Sequence, residues 1–182
     1  YINMGWQLYQ TQSTFRKTLD KCNKILKSLL NLDLLTFIYP KNNQTENSIP
    51  STPSSPPSPS PHLVIFAIKY SLYQLWTSWG VNPDILIADG IGEYVAATVS
   101  GVFSLEDGLK LVVSSNQSDF EKIANSINYS SPQIEIIKGV SGKLINSEIA
   151  TSSYWCERIS KTVSLDKIKI IDNLKEIDCD IC

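Results

Sequence analysis

The chain has 182 residues, a net charge of −2, 42% hydrophobic residues and 19% charged residues. A chain of this size buries roughly 70% of its unfolded surface, enough for one core without disulfides or metals. The balanced charge offers no basic field for nucleic acid, and no apolar run reaches the about 18 residues of a membrane span. Four cysteines at irregular spacing do not form a disulfide framework, so we expect a reduced, cytoplasmic setting.

Two amphipathic helices are predicted in the first half of the chain. The first covers residues 13–30, with Ser13 as its expected N-cap. Its apolar stripe consists of Phe15, Leu19, Cys22, Leu26 and Leu29. The second helix ends before Gly80, and its apolar side consists of Leu63, Phe66, Ala67, Tyr70, Tyr73 and Trp76. Between them, residues 41–61 hold most of the prolines and predict a disordered or polyproline-like loop.

Short apolar runs alternate with helical patterns in the second half. Strands are predicted at residues 85–88, 134–137 and 168–171. Helices are predicted at residues 93–99, from Ser104, from a capping box of Ser118 and Glu121, and at 153–160. We expect the tryptophans of the helical segments to pack, namely Trp76, Trp79 and Trp155. The alternation of strands and helices predicts an α/β fold.

A glycine-rich turn joins the strand at 85–88 to the following helix. A strand, a tight turn and a helix are the scaffold of a nucleophile elbow, where hydrolases carry Gly-X-Ser-X-Gly close to N–H groups that can hold an oxyanion. The five positions read Ala88-Asp89-Gly90-Ile91-Gly92. Glycine tolerates the strained backbone of the nucleophile position, so the turn can survive while its chemistry is lost.

The stretch PDILIADGIGEYVAATVSGVFSLEDGLKL strongly resembles the acyltransferase domain of modular polyketide synthases, which carries Gly-His-Ser-X-Gly-Glu-Tyr there. Three more stretches support the resemblance in family order: YINMGWQLYQTQSTFRKTLDKCNKIL, FAIKYSLYQLWTSWGV and DFEKIANSINYSSPQIEIIKGVSGKLINSEIATSSYWCERIS. It implies a three-layer, hydrolase-like α/β core with a short, mostly parallel sheet. It also implies transfer of a malonyl-type group from coenzyme A to the thiol of acyl carrier protein, using a serine nucleophile, a histidine base and an arginine that pairs with the substrate carboxylate.

Compared with that family pattern, the catalytic parts are missing. The serine position is Gly90, the preceding histidine is Asp89, and the first glycine of the elbow is Ala88, whereas Gly92 is kept. Residues 114–118 form the junction where the family has its ferredoxin-like small subdomain, with the base and the arginine clamp. The resemblance places Ile91 and His62 at oxyanion-hole positions. Gly139 replaces an asparagine common in the family.

These departures predict a degenerate acyltransferase domain over residues 1–182, shortened at both ends, without cofactor or metal. The losses argue against binding of acyl-coenzyme A, and an unpaired sheet edge with a bared cleft predicts marginal stability or oligomers.

An alternative is a non-catalytic module that docks acidic carrier protein or neighbouring synthase domains. A basic docking face around YWCERISKTVSL would have only Arg158 and Lys161. Residual enzymology, such as acyl-coenzyme A binding with slow hydrolysis, is a third hypothesis.

Three weaker site patterns favour structural explanations. Cys156 and His62 would form a thiol–imidazole pair only if the fold brought them together. A phosphate at the helix N-terminus after Gly90 would be opposed by Asp89 and Glu93. The two cysteines at positions 179 and 182 have the spacing of half a zinc site, and no second pair accompanies them.

Overall fold

A computed structural model of the chain describes residues 2–40, 59–114, 116–139, 141–145 and 147–160, with the backbone alone at 159 and 160. The chain divides into two compact units, Tyr1–Val81 and Asn82–Cys182. Residues 41–58 of the predicted loop, the predicted strand at 168–171, Lys161 and the last two cysteines lie outside the described residues.

Helices make up the secondary structure described in the first unit. These are α1 (Trp6–Thr11), α2 (Ser13–Leu30), α3 (Leu34–Ile38) and α4 (Pro61–Ser78). Helix α2 packs on α4, and the predicted stripe of α2 is buried through Leu26. Leu29 is exposed, contrary to the prediction, because it lies in the last turn before the left-handed cap Asn31. The loop predicted for 41–61 ends earlier than expected, since Pro61 begins α4, a position that suits the fixed φ of proline.

Side-chain hydrogen bonds hold the starts of two helices of this unit, α3 and α4, whereas α1 and α2 begin without one. Ser13 is the first helical residue of α2 and Gln12 is its N-cap, so the Ser13 prediction is wrong by one position. Ser60 caps α4, its Oγ accepting a hydrogen bond from the Leu63 N–H at 3.3 Å. Asn23 is a buried polar residue of α2 whose Oδ1 accepts hydrogen bonds from two amides of α3, Leu34 N at 2.7 Å and Leu35 N at 3.3 Å. The start of α3 is thereby tied to α2.

A three-stranded mixed sheet organises the second unit. Strand β1 (Ile85–Ala88) pairs in parallel with β2 (Glu135–Lys138), which pairs antiparallel with the short β3 (Leu144–Ile145). The helices are α5 (Ile91–Val99), α6 (Leu105–Val113), α7 (Gln117–Ser126), the 3₁₀ turn Ser147–Ala150 and α8 (Ser152–Ser160). The predicted α/β class is confirmed. The sheet is mixed because β3, which sequence patterning missed, returns antiparallel beside β2.

Two helix starts were predicted from capping residues in this unit. Ser104 caps α6 as predicted, accepting a hydrogen bond from the Asp107 N–H at 3.1 Å. The Ser118 capping box is wrong, because Asn116 caps α7 two residues earlier and accepts from the Asp119 N–H at 2.9 Å. Asparagine and serine cap helices about equally well, so residue type alone did not decide between them.

Of the three tryptophans expected to pack, Trp155 is fully buried. Its ring lies 4.8 Å from that of Tyr94 and 5.2 Å from that of Phe103, and its Nε1 donates to the Ile149 carbonyl at 2.9 Å. Trp76 and Trp79 are 51% and 55% exposed, so the packing predicted for them is wrong. Their rings contact each other edge to face, 5.6 Å apart, at the C-terminal end of α4, where Trp79 is the C-cap.

Candidate active site

The turn between β1 and α5 has the sharp geometry that a nucleophile elbow needs. Gly90 is the N-cap of α5, with φ of 52° and ψ of −125°, a conformation that L side chains rarely adopt. A Cβ placed on Gly90 would meet nothing within 4 Å. A side chain at this position would therefore face open space, as a nucleophile must, although glycine itself has no side chain.

Backbone amides and one carboxylate hold this turn together. The Gly92 N–H donates to the Asp89 carbonyl at 2.8 Å, and the Glu93 N–H donates to the Gly90 carbonyl at 3.1 Å. The Asp89 carboxylate accepts from the Gly90 N–H at 2.8 Å. Within the described ranges the Ile91 N–H has no hydrogen-bond acceptor, a property that an oxyanion donor requires. Its oxyanion role remains a prediction.

Gly139 packs against the elbow, a contact that sequence reasoning did not foresee. It follows β2 directly, and its N–H donates to the Ala88 carbonyl at 2.8 Å. A Cβ on Gly139 would lie 3.1 Å from the Asp89 Cβ, closer than side chains usually approach. A glycine at the end of a strand is the sequence signal for such a close backbone approach.

A buried ionic cluster ties α8 to the elbow helix. Glu93 on α5 is fully buried and forms an ion pair with Arg158, whose side chain is 12% exposed. The Tyr154 hydroxyl donates to Glu93 Oε2 at 2.9 Å. Burial raises the pKa of Glu93, while Arg158 and the Tyr154 hydrogen bond act in the opposite direction. The same burial, together with Glu93, raises the pKa of Tyr154.

Both arginines of the chain are occupied in structural contacts. Arg16 donates to the carbonyls of Tyr9 at 3.2 Å and Gln10 at 3.1 Å, near the end of α1. Arg158 faces Glu93, so it contributes no free cation to the docking face considered around YWCERISKTVSL. Arg158 is thus committed to Glu93, and Nη1 of Arg16 to two backbone carbonyls, whereas the resemblance gives an arginine the task of pairing with a substrate carboxylate.

The remaining predicted site residues are scattered. His62 is the second residue of α4, exposed, in the first unit. Cys156 lies on α8 in the second unit, where burial and the nearby Glu121 raise the pKa of its thiol. A raised pKa disfavours the reactive thiolate, so Cys156 has the environment of a structural cysteine. The described residues contain no group of three or more possible metal ligands, and none of their helices is long and apolar enough to cross a membrane.

Residues 2–125 match the family model described as acyl transferase domain. The chain belongs to this acyl transferase domain family. Among curated proteins it is 37% identical over 112 residues to the orsellinic acid synthase armB of Armillaria mellea, an alignment covering 62% of this chain and 5% of that protein. It is 36% identical over 114 residues to the non-reducing polyketide synthase PKS16 of Cladonia grayi, again covering 62% of this chain and 5% of the relative. This chain thus spans about one twentieth of the length of these relatives.

Solved acyl transferase domains share its fold. The domain of ZmaA superposes with a TM-score of 0.76 at 21% identity, covering 98% of this chain and 58% of the other. The domain of SpnD, in complex with 2-(pent-4-yn-1-yl)malonyl, gives a TM-score of 0.68 at 16% identity over 86% of this chain and 55% of the other. The resemblance to the acyltransferase domains of polyketide synthases is therefore confirmed, and the α/β fold with it.

Proposed function

We propose that this acyl transferase domain no longer transfers acyl groups. The observation that carries the proposal is Gly90, which occupies the open position of the elbow and offers no hydroxyl or thiol to attack a thioester. Removal of a catalytic nucleophile typically costs several orders of magnitude in rate. In the family, the transferred group would be a malonyl-type unit passing from coenzyme A to acyl carrier protein.

The surroundings of the elbow support the same proposal. Asp89 places a carboxylate on the Gly90 amide, where it opposes the negative charge of a tetrahedral intermediate. No histidine other than His62 exists in the chain, so the elbow has no imidazole from its own unit to act as a general base. Both arginines are engaged elsewhere, which leaves the carboxylate of a malonyl group without its expected partner.

The test is incubation of the purified chain with malonyl-coenzyme A, followed by intact-mass analysis. We expect the mass to stay that of the unmodified chain at every time point. The Gly90→Cys variant is a positive control for access, because its thiol would stand in open space and should take up one more carbamidomethyl group from iodoacetamide than the unmodified chain, which has four cysteines of its own. A stable malonyl adduct on the unmodified chain would overturn the proposal.

A second candidate function is docking of carrier protein or neighbouring synthase domains without catalysis. The face around YWCERISKTVSL gains no support, because Arg158 is paired with a buried carboxylate. A different element, α2, carries three exposed lysines, Lys17, Lys21 and Lys24, and these favour this candidate.

A further inference from the structure

The proline-rich segment that leads into α4 carries a repeated dipeptide that acyl transfer does not explain. A serine or threonine is followed directly by proline four times within residues 52–61. Three of these hydroxyl residues lie outside the described residues: Thr52, Ser55 and Ser58. The fourth is Ser60, and it stands directly before Pro61, the first residue of α4. Ser60 is therefore the member of the series whose surroundings the structure defines.

Ser60 has the exposure and the backbone conformation of a protein kinase substrate. Its φ of −61° and ψ of 147° are extended, the conformation that a following proline favours. Ser60, Pro61 and His62 are all exposed, whereas Leu63 is buried. Protein kinases bind the residue that they modify in an extended segment, and the proline-directed kinases also require proline at the next position. Ser60 meets both requirements.

Weak hydrogen bonds hold Ser60 to the first turn of α4. The Leu63 N–H donates to the Ser60 Oγ at 3.3 Å and to the Ser60 carbonyl at 3.0 Å, and the Val64 N–H donates to that carbonyl at 3.4 Å. Two of these distances exceed the about 2.7–3.2 Å that is usual for N–H···O bonds. Pro61 contributes no N–H at all. Opening of this turn, which a kinase needs in order to bind an extended segment, therefore breaks few strong bonds.

A second capping serine shows that the start of a helix does not by itself make such a site. Ser104 is also exposed, and it caps α6. It is followed by leucine instead of proline, and the first turn of α6 contains Glu106 and Asp107, which would repel an added phosphate. The first turn of α4 contains no acidic residue. Both the sequence and the local charge thus distinguish Ser60 from Ser104.

We propose that Ser60 is a phosphorylation site for a proline-directed protein kinase, and that the phosphate stabilises the start of α4. The Ser60 Oγ attacks the γ-phosphorus of ATP, the bond from that phosphorus to the β–γ bridging oxygen breaks, ADP leaves, and the hydroxyl proton passes to a base of the kinase. The product has a charge of about −1.5 to −2 at the N-terminus of α4, where backbone amides and the helix dipole favour an anion. The modification is independent of acyl transfer, because it requires neither Gly90 nor a coenzyme A ester.

The test is incubation of the full chain with ATP and a purified proline-directed kinase, followed by mass spectrometry with fragmentation to locate each phosphate. We expect phosphate on Ser60 and none on Ser104. The Pro61→Ala variant removes the residue that the kinase recognises but keeps the Ser60 hydroxyl, and alanine is well tolerated in a helix. This variant should lose phosphorylation of Ser60 and keep that of the other Ser/Thr-Pro sites.

The effect on α4 is measured by amide hydrogen exchange before and after kinase treatment. Phosphorylation should slow exchange at the Leu63 and Val64 amides by about fivefold, the effect of an anion at a helix N-terminus. The matched control is Ser60→Ala, which cannot accept this phosphate but keeps the other three sites. Exchange at the two amides of this control should be the same before and after treatment.

Three results would refute the assignment. Phosphate on the earlier sites but none on Ser60 would show that the start of α4 stays closed to the kinase. Undiminished phosphorylation of Ser60 in the Pro61→Ala variant would show that proline is not what the kinase recognises. Equal slowing of exchange in the Ser60→Ala variant would assign the effect on α4 to phosphates on the preceding segment.

Discussion

Gly90 has a positive φ, and the space beside its Cα is open. These two properties have opposite effects on a substitution. An added side chain meets no steric obstacle from neighbouring residues, but an L residue at φ of 52° and ψ of −125° is strained. Gly90→Ser is therefore expected to destabilise the chain by about 1–3 kcal/mol while leaving it folded. Urea unfolding measures the difference, and an unchanged midpoint would contradict the strain argument.

Arg158 compensates a carboxylate that has no contact with water. Arg158→Ala would leave Glu93 buried and unpaired, a change that typically costs about 3–5 kcal/mol. The double variant Glu93→Gln, Arg158→Met removes both charges, and it should recover much of the loss. Chemical denaturation of the single and double variants at neutral pH provides the comparison. Equal stability of the Arg158→Ala variant and the unmodified chain would show that the pair is not needed.

The same carboxylate gives a pH dependence with a definite sign. The pKa of Glu93 in the folded chain lies above its ordinary value of 4.5, so the folded state binds this proton more tightly than the unfolded state does. The contribution of Glu93 to stability should therefore increase as pH falls through the folded pKa, and level off below 4.5. Subtracting the unfolding free energy of Glu93→Gln from that of the unmodified chain at several pH values isolates this contribution. A difference that falls with decreasing pH would reverse the sign and refute the argument.

At the scale of elements, some helix ends depend on a side chain of a neighbouring helix. Ser104 caps the helix that follows it in sequence, whereas Asn23 accepts hydrogen bonds from amides eleven and twelve residues away. The first arrangement is visible as a local motif. The second requires α2 and α3 to meet, and the sequence around Asn23 shows only a polar residue within a helical pattern.

Asn23→Ala should destabilise the first unit, because one buried acceptor serves two amides of α3. Leaving a buried amide unsatisfied costs about 1–3 kcal/mol. Hydrogen exchange should accelerate at the Leu34 and Leu35 amides before other parts of α2 are affected. Ser28→Ala, an exposed substitution on the same helix, is the control and should leave exchange at both amides unchanged.

At the scale of the whole molecule, several large apolar side chains face solvent. The most exposed include Ile2 at 66%, Trp79 at 55%, and Trp76 and Val81 at 51% each. Large apolar areas on a surface favour association. These residues are the expected contacts for the oligomerisation predicted from the sequence. Both the oligomerisation and the marginal stability remain predictions.

The double variant Trp76→Gln, Trp79→Gln should reduce concentration-dependent association of the chain. Because both side chains are about half exposed at the end of α4, their replacement removes apolar surface without opening a core. Sedimentation velocity over a range of concentrations is the measurement. Leu144→Gln, which alters a 42% exposed residue of the second unit, is the comparison. If association persisted equally in both variants, the contact would lie on another surface of the chain.

The sequence by itself determined the local features: the periodicity of α2 and α4, the strand before the elbow, the Ser104 cap, and a glycine at position 90 of the turn. Each depends on side chains within a few residues of one another, so spacing and residue type were sufficient. Only the tertiary structure decided that Arg158 pairs with Glu93 across 65 residues, that Gly139 packs on Asp89, and that Trp155 is buried while Trp76 is exposed. These features depend on which surfaces meet after the chain folds, and apolar or charged character alone does not specify the partner.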